Sequence, residues 1–233
     1  MRGNLILCIA LIALVTNLQE ALAQSKVMFK DIASKAGIDF KYNFGDDSYV
    51  SILESSGSGI TIFDYNGDGW MDLYLMNGTY LEGISDKEGI KYKNSSNKLY
   101  RNNKDGTFTD VTEKAGVDDR HWSMAAVAID YDNDGDEDLF LLNYGPNVFY
   151  RNNGDGTFTD IAGSIGLVGP KTLNGFEKWS IGAAFWDENH DGRLDLMAGN
   201  FLAFDPKYIS TQTLKPAGTC AHFLLQMPLD LRD

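Results

Sequence analysis

The stretch "DYDNDGDEDLFLLN" (Asp130–Asn143) places six acidic side chains within nine residues and then continues directly into an apolar run. Carboxylates this close repel one another by several kcal/mol in total at the effective dielectric of a protein surface. A bound divalent cation removes that repulsion and orders a loop that has no core of its own. The stretch therefore predicts a cation-binding loop that leads into a β-strand. A metal-free acidic turn is the alternative, since Asp, Asn and Gly also favour turns.

The acidic pattern occurs three times, which indicates a repeated structural unit. Each copy reads D-x-[DN]-x-D-G-x-x-D-L and follows a run of small and apolar residues such as "MAAVAI" (124–129). Three copies in register make chance a poor explanation. The copies begin at Asp64, Asp130 and Asp187.

A second element also recurs, between the acidic copies. The segments "LYRNNKDGTFTDVTEKAGV" (99–117) and "FYRNNGDGTFTDIAGSIGL" (149–167) are nearly identical, and "FKDIASKAGI" (29–38) repeats their second half. Apolar and polar residues alternate around an N-x-D-G turn, which predicts a β-hairpin. The "NKDG" and "NGDG" pieces carry few carboxylates, so they are interpreted as plain turns rather than metal loops.

Together these elements give units of four short strands. Units of this kind, repeated at roughly 50–65 residues, are typical of propeller blades. The predicted fold is therefore all-β: a partial β-propeller with about two and a half four-stranded blades. In the second four-stranded repeat the strands are predicted at Ala125–Ile129, Asp138–Leu142, Asn147–Arg151 and Thr157–Ile161. The first repeat has an insertion between its second and third strands.

The repeats divide the chain into six segments. A leader comes first, and an N-terminal outer strand with a linker follows it. Two full blades, a partial third blade and an unassigned tail complete the order. The boundaries are 1–23, 24–57, 58–117, 118–167, 168–202 and 203–233.

The leader has the composition of a secretory signal peptide. Arg2 precedes an apolar run from Leu5 to Leu18, and Ala21-Leu22-Ala23 is a small-x-small cleavage signature. A membrane anchor is the alternative, but the run is shorter than the ~20 residues that span a bilayer. The leader predicts a secreted protein, or a periplasmic or cell-surface one in a bacterium, with no membrane insertion after cleavage.

The formal net charge of −13 limits the partners that the chain can bind. It argues against nucleic acid and against anionic membrane surfaces, which recruit Lys and Arg. It favours the binding of cations. Cleavage would remove Cys8 and leave Cys220 alone, which predicts a free thiol, an intermolecular bridge, or a partner outside this chain.

The acidic loops resemble an EF-hand only in their first half. An EF-hand takes oxygen ligands from positions 1, 3, 5, 7 and 9 and a bidentate Glu at position 12. In the three loops position 12 is Leu75, Leu141 and Ala198, so the closing Glu is absent. Apolar, β-compatible residues follow each loop, so the prediction is a strand–loop–strand site closed by the carboxylate at position 9.

The predicted cofactor is calcium (Ca2+), with three sites. Magnesium is disfavoured because it demands tight octahedral geometry and keeps its water. The second loop is expected to bind most tightly because it has most carboxylates, and Glu137 is expected to lie outside its ligand shell. Residues Trp70, Asp136 and Arg193 contribute main-chain carbonyls. The predicted ligands are Asp64, Asn66, Asp68, Trp70 and Asp72; Asp130, Asp132, Asp134, Asp136 and Asp138; and Asp187, Asn189, Asp191, Arg193 and Asp195.

These motifs resemble a known family. "FDYNGDGWMDLYLMNG" (63–78), "IDYDNDGDEDLFLLNYG" (129–145) and "NGDGTFTDIAGSIGL" (153–167) are similar to the FG-GAP/VCBS repeats of integrin α-like propellers. They are especially similar to those of secreted proteins with an ASPIC/UnbV domain, such as cartilage acidic protein. The resemblance covers about 27–201 and implies a calcium-stabilised propeller, typically of seven blades, used for adhesion or extracellular ligand binding.

The chain departs from that family in two ways. It contains about two and a half blades, and no ASPIC/UnbV-like segment follows them. A propeller removes its sheet edges by closure, and this number of blades cannot close. The interpretation is a fragment of a larger propeller that lacks C-terminal blades.

A binding module is favoured over an enzyme. The chain has three histidines, His121, His190 and His222, and no H-E-x-x-H or G-x-S-x-G motif. The regular placement of Trp122, Trp179 and Tyr131 indicates packing rather than sugar stacking. The predicted partner is an extracellular protein or glycan. Two alternatives stay open: part of a carbohydrate-active propeller enzyme, and a non-functional remnant.

Overall fold

The computed structural model describes residues 29–48, 51–173, 175–201 and 222–225. The predicted signal peptide lies outside these residues, as does most of the tail. The chain divides into two units, Met1–Ile32 and Ala33–Asp233. In the first unit, residues 29–32 carry no strand where the sequence predicts an outer one. Phe29 and Ile32 are both exposed, so this segment lacks the buried face that fixes a strand in a sheet.

The second unit contains two four-stranded antiparallel sheets, which are the two predicted blades. In each sheet the strands lie in chain order, with neighbours joined by hydrogen bonds. The predicted strands of the second blade agree with those observed to within three residues at each end. The first blade contains β1 (Ile60–Phe63), β2 (Asp72–Leu75), β3 (Lys98–Asn102) and β4 (Phe108–Asp110); the second contains β5 (Trp122–Ile129), β6 (Asp138–Tyr144), β7 (Val148–Asn152) and β8 (Phe158–Asp160).

A third sheet follows, after a short hairpin of β9 (Thr172–Leu173) and β10 (Phe176–Glu177). It contains β11 (Ser180–Trp186), β12 (Asp195–Asn200) and β13 (His222–Leu225), in that order. The third strand comes from the tail that the sequence left unassigned. The tail has neither the "YRNN" hairpin nor the "FTD" strand of the repeat. The repeat pattern therefore did not predict β13.

The three acidic loops occupy the same place in their sheets. Each joins the first strand to the second, and the last residue of one strand pairs with the first residue of the next. These register pairs are Phe63 with Asp72, Ile129 with Asp138, and Trp186 with Asp195. Because neighbouring strands are antiparallel, the N-x-D-G turns lie at the same end as the acidic loops. We call this the acidic end, and the other end, with the β2–β3 connection, the opposite end.

Strand β6 is the centre of the core and is buried on both faces. Leu139 and Leu141 pack into one cluster with Phe63 and Leu99 of the first blade. Phe140 and Leu142, which lie on the other face of the strand, belong to a second cluster with residues of the third sheet. This two-sided burial explains why the sequence after the acidic loop is continuously apolar rather than alternating.

The small residues before the second and third acidic loops allow the sheets to pack closely. Ala126 and Ala128 of β5 pack against the first cluster, and Ala183 of β11 packs against the second. Trp122 and Trp179 are almost completely buried, which confirms that they pack in the core.

Candidate metal centres

The first residue of each acidic loop organises the loop backbone. Its carboxylate accepts hydrogen bonds from the amides of the fifth and sixth residues, which folds the loop back over itself. In the second loop, Asp130 accepts from Asp134 at 3.1 Å and from Gly135 at 3.0 Å. The equivalent bonds are Asp64 with Asp68 and Gly69, and Asp187 with Asp191 and Gly192.

Two positions in each loop have left-handed backbone. The sixth residue is glycine in every copy, and at Gly135 φ is +96°. The fourth residue is also left-handed, and it is Gly67, Asn133 or His190. Asn tolerates this conformation better than most side chains do. His190 therefore occupies a turn position in the third loop.

The ninth residue closes each loop from inside the sheet. Asp72 and Asp138 are 1% exposed, and Asp195 is 8% exposed. Each accepts a hydrogen bond from the amide of the second loop residue, as Asp138 does from Tyr131 at 3.1 Å. The equivalent bonds are Tyr65 to Asp72 and Glu188 to Asp195. In Asp72 and Asp138 the other carboxylate oxygen accepts from the amides of Asn102 and Asn152, so both oxygens are held by backbone donors at the base of the loop.

Burial and neighbouring charges make these carboxylates hard to ionise. Burial, together with the nearby Asp132 and Asp134, raises the pKa of Asp138 to about 7. Burial, together with Asp64 and Asp68, raises the pKa of Asp72 to about 6. A cation in the loop would reverse both shifts, because positive charge favours the ionised form.

In the second loop, three of the predicted ligands converge. Asp130, Asp132 and Asp138 each offer an oxygen, and these oxygens all lie within 4.8 Å of one another. Carboxylate oxygens are the ligands of hard cations, and calcium binds oxygens at about 2.3–2.6 Å. Oxygens on opposite sides of such an ion are about 5 Å apart, so the spacing suits one. This group could hold a metal ion.

The first and third loops have the same backbone hydrogen bonds but one carboxylate fewer among their predicted side-chain ligands. Their third residues, Asn66 and Asn189, accept hydrogen bonds from Asp68 and Asp191. In the first loop the ammonium of Lys104 lies 3.2 Å from Asp68. The residues at position 7 are Trp70, Asp136 and Arg193, and each donates its amide to the carboxylate at position 5.

The sequence missed two residues that connect neighbouring loops. The carboxylate of Glu137 accepts from the amide of Asp64 at 3.0 Å, across the junction between the blades. The side-chain amide of Asn152 donates to the carbonyls of Tyr65 at 2.9 Å and Glu137 at 3.1 Å. The repeated "RNN" motif marks Asn152, but only the structure shows that it reaches the preceding blade.

The fold and the recurring loops define an incomplete β-propeller built from repeats. A model of the FG-GAP-like repeat matches residues 89–141 and, in a second match, residues 130–198. Residues 89–198 of the chain therefore carry FG-GAP-like repeats. No curated protein matches the chain. Among the described residues, no helix is long and apolar enough to cross a membrane.

Proposed function

We propose that the chain is an exported, calcium-binding β-propeller module that binds an extracellular protein or glycan and has no catalytic activity of its own. The observation that carries this proposal is the convergence of Asp130, Asp132 and Asp138 in a loop whose backbone is already folded around them. The occurrence of FG-GAP repeats in extracellular proteins supports export.

The donor set supports calcium at all three loops. Calcium accepts six to eight oxygens in flexible geometry, whereas magnesium needs a tighter octahedron. Each loop would supply the residues at positions 1, 3, 5 and 9 through their side chains and position 7 through its carbonyl. Glu137 lies outside this set, since its carboxylate is engaged by the Asp64 amide. The residues are Asp64, Asn66, Asp68, Trp70 and Asp72; Asp130, Asp132, Asp134, Asp136 and Asp138; and Asp187, Asn189, Asp191, Arg193 and Asp195.

In this proposal the ion has a structural role. A cation would neutralise the carboxylates at the acidic end and hold each loop against the strand that follows it. Because the first two loops are hydrogen-bonded to each other, ordering one would also brace the junction between the blades. The metal would therefore stabilise the propeller and leave its surfaces free for a ligand.

The described histidines have structural surroundings, which favours binding over catalysis. The His121 ring nitrogen Nδ1 lies 2.6 Å from Asp119, whose other carboxylate oxygen accepts from Ser123 and Asn143. This network lies in the blade junction at the opposite end, away from the acidic loops. The remaining clustered carboxylates have a proposed metal role.

Calcium titration of the chelated protein tests the proposal. A ligand that binds only the folded state raises its melting temperature by mass action, so calcium should raise it and magnesium should do so less. Asp132→Ala should weaken the calcium-induced rise, because it removes an exposed ligand oxygen. Asp136→Ala is the matched control, since it removes the same charge but keeps the proposed carbonyl ligand. An unchanged melt after chelation, or equal effects of the two variants, would contradict the assignment.

A further inference from the structure

A cavity of about 430 Å³ lies at the opposite end of the first blade, away from the acidic loops. Its walls come from residues 39–43, from Asn77, Tyr92 and residues 94–96 of the β2–β3 connection, and from the sheet at Lys98, Tyr100 and Asp110. The volume is within the range of about 300–1,000 Å³ that small-molecule sites occupy.

Part of the cavity wall comes from an insertion in the first blade. In the second blade a short turn over residues 145–147 joins β6 to β7, whereas the first blade has residues 76–97 between β2 and β3. The longer connection is held in place by Asp46, which is 1% exposed and accepts from the Asp86 amide at 2.7 Å. Gly89 packs so closely against Gly45 that a Cβ atom would lie 2.2 Å from the Gly45 carbonyl. The cavity walls are therefore fixed by buried contacts.

Three tyrosines line the cavity, and their hydroxyl groups are all engaged. Tyr42 donates to the Ser56 carbonyl at 2.7 Å, and Tyr92 and Tyr100 donate to Asp47 and Asp39 at 2.8 Å and 2.7 Å. These bonds fix the rings in position. The Tyr100 ring is fully buried, so the partly exposed rings of Tyr42 and Tyr92 supply the apolar contact area, at little cost in side-chain entropy.

The charged groups around the cavity balance one another. The lining contains Lys41 and Lys98 and also Asp39 and Asp110, and the Lys98 ammonium lies 2.9 Å from Asp110. A balanced lining favours neither an anion nor a cation. The rim adds the exposed amide of Asn94, together with two partly exposed serines that follow it in the chain. Hydrogen-bonding groups beside aromatic walls match a neutral ring that carries hydroxyl groups.

We propose that this cavity binds a neutral saccharide of one or two rings. The inference rests on the proposed function, since it names the ligand class and its site on the module. It places the ligand at the end of the blade that is not occupied by the acidic loops. Metal binding and ligand binding are therefore separate in space and can be tested separately.

Saccharide titration of the full chain in saturating calcium tests the site. The probes are glucose, galactose, mannose, N-acetylglucosamine, maltose, lactose and cellobiose, each measured by saturation-transfer NMR and calorimetry. At least one should bind, with a Kd on the order of 1 mM for so small a contact area. Ser95→Trp, which fills the cavity, should weaken that binding at least about tenfold.

A milder pair of variants controls for misfolding. Asn94→Gly removes a rim amide at a left-handed position, where glycine keeps the backbone conformation, and should weaken binding severalfold. Asn133→Gly makes the same change at a left-handed position in the second acidic loop and should leave saccharide binding unchanged.

The outcomes separate the two proposals. If no saccharide binds while calcium still raises the melting temperature, the cavity inference is wrong and the calcium-binding module stands. If a saccharide binds equally well to wild type and to a folded Ser95→Trp variant, it binds elsewhere and the inference is wrong. If the saccharide binds and Ser95→Trp abolishes it while calcium has no effect, the calcium assignment fails and the cavity remains.

Discussion

The second blade meets its two neighbours in different ways. At the junction with the first blade, the side chains of Glu137 and Asn152 hydrogen-bond across the acidic end to the preceding loop. At the junction with the third sheet, the residue equivalent to Glu137 is Leu194, which cannot accept a hydrogen bond. There Phe185 packs against Phe140 and Phe149 within the apolar cluster that the two sheets share.

The opposite end differs as well. At the first junction, the Asn97 side chain of the first blade donates to Ser123 at 2.8 Å, and Ser123 and Asn143 both donate to Asp119. At the second, the buried ammonium of Lys178 donates to Asn147 at 2.7 Å and to Ser180 at 3.1 Å. Both junctions have an apolar core, and a few variable positions decide whether the polar contacts beside it are made by carboxylates or by a lysine.

Removal of the Asn152 side chain should have the largest effect on the first junction. Asn152→Ala leaves the Tyr65 and Glu137 carbonyls without this donor in a buried position and should cost about 2–3 kcal/mol in the free energy of unfolding. Asn102→Ala is the matched control, because Asn102 donates to Met71 within its own blade at an exposed site. Urea denaturation measures both, and equal losses would contradict a special role for the junction.

The pH dependence of stability should reveal Lys178 at the second junction. Burial lowers the pKa of Lys178 from 10.5 to about 8, while the neighbouring Glu177 opposes the shift. Between these values the unfolded chain binds more protons than the folded one, so this residue makes stability rise with pH. The expected gain is on the order of 3 kcal/mol between pH 8 and 10.5.

Lys178→Met should remove that rise. Unfolding free energies of wild type and variant, measured side by side across this pH range, cancel the titration of tyrosines that both proteins share. If the unfolding free energy of wild type changes with pH in parallel with that of the variant, Lys178 is not desolvated.

Glu137→Leu should make the first junction resemble the second. The Asp64 amide would lose its acceptor, and Asp64 is a proposed calcium ligand. The affinity of the first loop for calcium should fall about fivefold, which corresponds to about 1 kcal/mol. Leu194→Ala serves as a control at the equivalent position of the third loop. If calorimetry shows an equal loss of calcium affinity in both variants, the first and second loops are not coupled through Glu137.

Most of the fold could be predicted from the sequence because the same pattern of strands and loops recurs in each repeat. Three acidic copies place the loops at equivalent strand junctions, and the position 9 carboxylates lie at the base of the loops as the spacing indicates. The contacts between blades could not be predicted, because Glu137 and Asn152 reach residues far away in the chain. The strand β13 lies in the tail, which carries no copy of the motif.

The smallest expected effect concerns His121, which precedes Trp122 as Lys178 precedes Trp179. The hydrogen bond to Asp119 raises the pKa of His121, with burial and Lys178 opposing it and Asp160 adding to it. A raised folded-state pKa means that the stabilisation is complete below the ordinary value of about 6.5 and is lost as pH rises through the folded value. The side chain is 44% exposed, so solvent screening limits the contribution to a few tenths of a kcal/mol. His121→Asn should remove this small loss of stability between pH 5 and 8, as measured by urea denaturation. If the stability of the variant changes with pH as that of wild type does, the His121–Asp119 pair adds nothing to the first junction.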